Sequence, residues 1–237
     1  MINQKWPTRL VIVRHGESGR NVAKEIAKSK GEHLYGSDVR DIDVRLTERG
    51  LLEARTTGQH LAMKFKNDNF DVIFTSPYRR TVQTANQIRA QLKAKIPLVH
   101  EERIREIEFG ILDGITTDGI KWKYPEEFSR RKRVGKYWYR PPGGESRPDV
   151  ALRVHSFLGA LTRDYMEKKV LVVCHSVVVL IFRRLLERWG ENKYMKIEAE
   201  DDVRNCSVTI YEYQPTKKKL ILKSFNKYSH LSVRRNS

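Results

Sequence analysis

The stretch Arg9–Glu17, RLVIVRHGE, decides the fold. LVIV is a short branched apolar run bounded by charge, the pattern of a buried strand, and Gly16 closes it into a turn that leads to a helix around Asn21–Lys28. Lys169–Ser176, KVLVVCHS, repeats the device before the helix VVVLIFRRLLERW. Between them DVIFTS is another strand, with Ser76 as N-cap and Pro77 at the first position of the helix YRRTVQTANQIRAQL. Thr47 caps a helix in which Leu51, Leu52, Ala54, Leu61 and Phe65 recur at near-helical spacing. KIPLVH is a further short strand. Pro148 opens a helix carrying Val150, Leu152, Val154, Phe157, Leu158 and Leu161, and two closing strands, CSVTIYEY and KLILKSF, are joined by a Gln-Pro-Thr turn.

Strands alternating with helices predict a three-layer α/β/α sandwich around a mainly parallel sheet, a fold that places ligands at the carboxyl ends of its strands. The whole chain, 1–237, is expected to form one domain. Residues 111–147, rich in Gly, Pro, aromatic and charged side chains, read as an inserted lid, and 216–237 as a basic closing strand and tail.

Hydrophobic residues make up 39% of the 237, enough for a core and too many for a disordered chain. Two cysteines, Cys174 and Cys206, each in an apolar segment, allow neither a disulfide framework nor a four-cysteine zinc site. The first residues contain no apolar leader core, and VLVVCHSVVVLIF is too short to span a bilayer. A soluble, unprocessed cytoplasmic protein without a membrane span is expected. The net charge is +17, of which residues 121–147 carry +6 and residues 216–237 carry +7.

Two strands end in histidine, His15 and His175, and parallel strands bring both to one sheet edge. Arg14, and one of the pair Arg79-Arg80 in the first turns of a helix, add planar donors suited to phosphate; clustered cations of this kind call for an anion. No GxxxxGK[ST] loop occurs, so a P-loop nucleotide site is unsupported. His33, His60, His100, His155 and His230 show no metal-ligand spacing, and no metal or other cofactor is expected. Cys174 lies in an apolar strand whose alternate residues point away from the site, which argues against a thiol nucleophile.

VRHGES with Asn21 six residues after His15, SPYRRTVQTA, REIEFG, and CHS after an apolar strand resemble, in that order, the histidine phosphatase superfamily, also called phosphoglycerate mutase-like. LTERG and PGGES add to the likeness. The resemblance implies that His15 takes the phosphoryl group as a phosphohistidine, that Arg14, Asn21, Arg80, His175 and the backbone of Ser176 bind phosphate, and that Glu106 protonates the leaving oxygen. The family's arginine lies four residues after Ser76, which selects Arg80. Two departures stand out: Ser176 replaces the usual glycine after the second histidine, and Asp113 stands where the family often has glutamate. Glu108 is the alternative acid. Such an acid must be protonated to act, so a raised pKa is expected at Glu106.

The resulting expectation is metal-independent hydrolysis of a small phosphorylated metabolite, with a phosphomutase as the alternative inside the family. An alternative of another class is a binding protein on the same scaffold. The lid interleaves Arg130, Arg131, Lys132, Arg133, Lys136 and Arg140 with Tyr124, Phe128, Tyr137, Trp138 and Tyr139, a mixture suited to single-stranded nucleic acid. Rings that pack the lid onto the domain, beneath solvated cations, are the reading preferred here. The sequence sets no oligomeric state.

Overall fold

Six strands form one sheet in the order β3-β2-β4-β1-β5-β6: β1 (Arg9–Arg14), β2 (Val72–Thr75), β3 (Leu98–His100), β4 (Lys169–Cys174), β5 (Val208–Gln214) and β6 (Lys219–Lys227). The computed structural model describes residues 4–36, 39–92, 95–200 and 202–234, so the end of the basic tail, residues 235–237, lies outside the described residues. The four strands β3, β2, β4 and β1 pair in parallel, whereas β5 and β6 close the edge antiparallel, so the sheet is mainly parallel as expected. The helices are α1 (Gly19–Lys30), α2 (Glu48–Lys64), α3 (Arg79–Gln91), α4 (Thr117–Lys123), α5 (Pro125–Val134), α6 (Arg147–Asp164), α7 (Ser176–Leu186) and α8 (Glu191–Glu200).

The three layers follow from period-2 burial in the central strands. In β1, Leu10 and Ile12 join one core with Phe157 of α6 and Phe182 of α7, while Val11 and Val13 join the other with Leu61 of α2 and Ile88 of α3. In β4, Val170, Val172 and Cys174 divide from Leu171 and Val173 in the same way. Side chains on the two faces of a strand thus fill separate cores, each full burial contributing about 1.5–3 kcal/mol. Cys174 belongs to the α6–α7 core, and burial pushes its thiol pKa up, an inert setting for sulfur.

Thr47 caps α2 through its hydroxyl, as the sequence predicts, and Ser18 and Asn21 form a capping box on α1. Ser76 only partly meets expectation. Its hydroxyl accepts from the Tyr78 N–H at 3.4 Å while its own N–H donates to the Val173 carbonyl at 3.1 Å, but Tyr78 still has extended backbone, so α3 begins only at Arg79 with Tyr78 as N-cap. Helix α6 likewise begins at Arg147, capped by Ser146, one residue before Pro148. The polar α8, which buries only Tyr194, gave no readable signal in the sequence.

Residues 111–147 are largely helical. Leu112, Ile115, Ile120 and Tyr139 form a small core of their own with Tyr124 and Phe128 against it, and Tyr137 joins the main core. Most of the aromatic residues in this segment are therefore packed. Trp122 and Trp138 are exposed, the first stacked on His33 and the second donating its indole N–H to Glu191 at 2.6 Å.

Candidate active site

Strand register lines up the site. Arg14 pairs with Cys174 and Thr75 with Val173, so His15, His175 and Ser76 emerge together at the carboxyl edge of β1, β4 and β2. The rings of His15 and His175 lie 5.2 Å apart at 65°, and both are buried. Nδ1 of His15 is 2.7 Å from the Gly16 carbonyl. A carbonyl only accepts, so Nδ1 carries the proton and Nε2 keeps its lone pair. His175 presents Nδ1 to an Arg80 N–H at 3.4 Å and Nε2 to the Ser76 hydroxyl at 2.9 Å. The guanidinium only donates, so here the proton belongs on Nε2. Burial, reinforced by the charges of Arg80 and Arg14, holds both imidazoles far below their ordinary pKa, and both are neutral at pH 7.

Two guanidiniums flank these rings. Arg80, in the first turn of α3, is 4% exposed and grips both carboxylate oxygens of Asp41 at 3.0 Å; it also donates to the Asp41 backbone carbonyl at 2.7 Å. Arg14 ends β1, donates to the Val203 carbonyl, and keeps a buried Nε–H that makes no hydrogen bond with the described residues. Burial lowers the Arg14 pKa from its ordinary value, with Arg80 adding to the effect. A buried cation with an unmet donor costs free energy that an anion would offset.

Glu106 lies in the loop after β3, where Ile107 N–H donates to one of its oxygens at 3.0 Å. Burial raises its pKa above the usual carboxylate value, as the sequence led us to expect, although the Ile107 N–H, Arg80 and Arg14 pull the other way. Glu108 is exposed, and its N–H donates to Glu145 at 3.1 Å. Asn21 accepts at Oδ1 from Ser18 and from Asn205 Nδ2 at 3.3 Å, which leaves its own NH₂ group as donor. Ser176 is the first residue of α7, directly after His175, and is half-buried.

The structure thus brings His15, His175, Arg14, Arg80, Asn21 and Glu106 to one edge. Sequence reasoning missed three residues there. Ser76 was legible as a third polar residue at a strand end, but the Ser-Pro helix signal competed with that reading. Asp41 belongs to a single 3-10 turn, Asp41–Asp43, with no motif around it. Asn205 donates to the His15 carbonyl at 2.9 Å from a loop far along the chain. Beside the first turn of α1 lies a cavity of about 590 Å³, lined by Arg20, Tyr35, Val44, Leu46 and Arg79 among others. Among the described residues no three His, Cys, Asp or Glu side chains gather as a metal ion would need, and no helix is long and apolar enough to cross a membrane.

Buried guanidiniums and neutral imidazoles gathered at one edge suit a phosphoryl oxyanion. The family model of the histidine phosphatase superfamily (branch 1) matches residues 10–226, and the chain belongs to that family. A 2,3-bisphosphoglycerate-dependent phosphoglycerate mutase of Methylobacterium radiotolerans is 36% identical over 170 residues, 70% of this chain and 73% of its own length. Phosphoserine phosphatase 1 of Hydrogenobacter thermophilus is 33% identical over 175 residues, 71% of either chain. Among solved structures, YhfR of Bacillus stearothermophilus superposes with a TM-score of 0.73 at 25% identity, covering 94% of this chain and 98% of its own. The chain is a phosphotransfer enzyme of this family, whose members include phosphatases and mutases.

Proposed function

We propose that the enzyme hydrolyses small phosphomonoesters in two steps through a phosphohistidine on His15. The observation that carries this reading is the His15 tautomer, whose Nδ1–H is fixed by Gly16 so that Nε2 is the free lone pair beside two arginines. Nε2 attacks phosphorus, the bond from phosphorus to the ester oxygen breaks, and Glu106 gives its proton to the departing oxygen. Water then gives a proton to the Glu106 carboxylate and attacks phosphorus, the P–N bond breaks, and inorganic phosphate leaves. Charge on the equatorial oxygens is met by Arg14, Arg80, Asn21, His175 and the Ser176 N–H. A dianion arriving beside His175 raises its pKa, so Nδ1 is protonated when phosphate is bound and donates to an oxygen.

Hydrolysis is favoured over phosphomutation by the way the lid spends its charge. Arg130 is paired with Glu127, Lys136 and Arg147 with Glu198, and Arg140 with Asp149, rather than forming a second anchor for a substrate that must be held and reoriented. The packed rings of the lid likewise favour a metabolite over nucleic acid as the anionic partner. The buried free thiols Cys174 and Cys206 suit a reducing, cytoplasmic setting. The test is a panel of phosphomonoesters assayed with and without a bisphosphorylated sugar acid as primer, with His15→Ala as control. Steady release of phosphate without primer is expected. Primer-dependent isomerisation without release would reassign the enzyme to the mutases, and full activity in the alanine variant would remove the phosphohistidine.

A further inference from the structure

The geometry points to Asp41 as an internal competitor at the phosphate site, whose carboxylate holds the Arg80 fork until the phosphoryl group of a monoester displaces it onto Arg20. The inference rests on the phosphomonoesterase reading.

A guanidinium has five N–H donors. In Arg80, both Nη1 donors go to Asp41, one to its backbone carbonyl at 2.7 Å and one to Oδ1 at 3.0 Å. Nη2 serves Asp41 Oδ2 at 3.0 Å and His175 Nδ1 at 3.4 Å. Only Nε–H remains, so a two-point grip on a phosphoryl group requires the fork that Asp41 occupies. Asp41 is therefore an internal competitor for substrate.

It also has somewhere to go. Arg20 Nη1 already lies 3.1 Å from Asp41 Oδ1, and Arg20 is itself anchored by Asp113 and lies over the Tyr35 ring at 5.7 Å. Burial works against the charge on Arg20, but Asp41 and Asp113 outweigh it and hold its pKa above the ordinary value. Asp41 sits in the connection between α1 and α2, in a 3-10 turn of three residues with its side chain 20% exposed. A carboxylate so placed can pass from one guanidinium to the other without disturbing the sheet.

Displacing the pair costs every anion that uses the Arg80 fork the same free energy, because apparent affinity falls by the fraction of the enzyme in which the fork is free. A phosphomonoester dianion brings two charges and three oxygens to Arg14 and Arg80 together, which offsets the loss of the Asp41 pair. Asp41 thus sets how tightly the site holds its anion.

Phenylphosphonate and benzenesulfonate test this directly. They share a shape, neither is hydrolysed, and at alkaline pH the first is a dianion and the second a monoanion. Binding is measured by titration calorimetry on the full chain. The wild type is expected to prefer the phosphonate strongly. Asp41→Asn is expected to tighten phenylphosphonate by about tenfold and benzenesulfonate by no more than that, because the competing carboxylate is lost to every ligand that uses the fork. Asp41→Glu, which keeps the charge, stays near the wild-type affinities. Weakened or unchanged phenylphosphonate binding in an Asp41→Asn variant whose melting temperature is unchanged, tightening of benzenesulfonate alone, or a wild type that binds no phosphonate each overturns the proposal. If the variant melts lower, both affinities are compared with wild type at a temperature where it is folded. Failure of the wild type to hydrolyse p-nitrophenyl phosphate sinks the phosphomonoesterase reading instead, and the calorimetric preference distinguishes the two failures.

Discussion

Arg80 at the strand edge and Arg147 at the end of the 111–147 segment are both buried guanidiniums held by a carboxylate, at 4% and 8% exposure. Their partners differ in origin. Arg147 joins the first turn of α6 to Glu198 of α8 at 2.9 Å, and Glu198 also takes Lys136 at 2.7 Å. Burial opposes the charge on Glu198, yet these two cations hold its carboxyl below the usual range. Helix meets helix there. Arg80 is held instead by a carboxylate from a three-residue turn that has a second arginine within reach. Burial and charge are alike in the two pairs; what differs is the alternative partner open to the counter-ion.

The sharpest challenge to this contrast is at the strand edge. His15→Ala is expected to lower turnover of any phosphomonoester by about 10⁴-fold or more, the scale on which loss of a nucleophile acts. Steady-state phosphate release checks it. Glu106→Gln is expected to cost about 10²–10⁴-fold on alkyl phosphates and much less on p-nitrophenyl phosphate, whose leaving group needs little protonation. The protonated acid is the active form, so in the wild type the alkyl rate falls as pH rises through a Glu106 pKa that burial holds above the ordinary 4.5. In the glutamine variant that limb vanishes from the pH–rate profile.

The 111–147 segment should respond through stability instead. Arg147→Ala leaves Glu198 buried beside a single cation and is expected to cost about 3–5 kcal/mol of stability in urea unfolding. Turnover of p-nitrophenyl phosphate, assayed where the variant is folded, should stay near wild type; a fall in kcat without loss of stability would erase the distinction between the two arginines. The smallest effect is expected from reversing Lys121, Lys123, Lys132 and Arg133 together to Glu. They are exposed, and kcat/KM at physiological salt should change by less than about threefold, since solvated charges act mainly through screened steering. A larger change would draw residues 121–133 into the site.

What the sequence disclosed follows the range of the physics involved. The strands and their terminal histidines are written locally, in apolar runs such as LVIV and VLVV that can only be buried, and parallel pairing does the rest. The Arg80–Asp41 pair joins positions 39 apart with no periodicity to announce it. Ser-Pro is a strong local helix signal, yet α3 opens only at Arg79, and the Ser76 hydroxyl also meets His175, 99 positions away, which no local pattern announces. In the 111–147 segment, Tyr137 and Tyr139 are buried while Trp138 between them is exposed, an alternation that composition alone could not assign to packing.

One contact reaches beyond the finished molecule. The Cys206 N–H donates to the carbonyls of both Arg14 and His15, at 3.1 and 3.2 Å, with Cys206 at φ +52°, and Asn205 adds its side-chain amide to His15. The backbone that carries the proposed nucleophile is thus pinned by residues synthesised about 190 positions later. While the chain is still on the ribosome the amino-terminal histidine has been made, but the brace that fixes it has not. A nascent or truncated chain ending before residue 205 should be catalytically silent, so the order of synthesis itself delays activity until the last strands arrive.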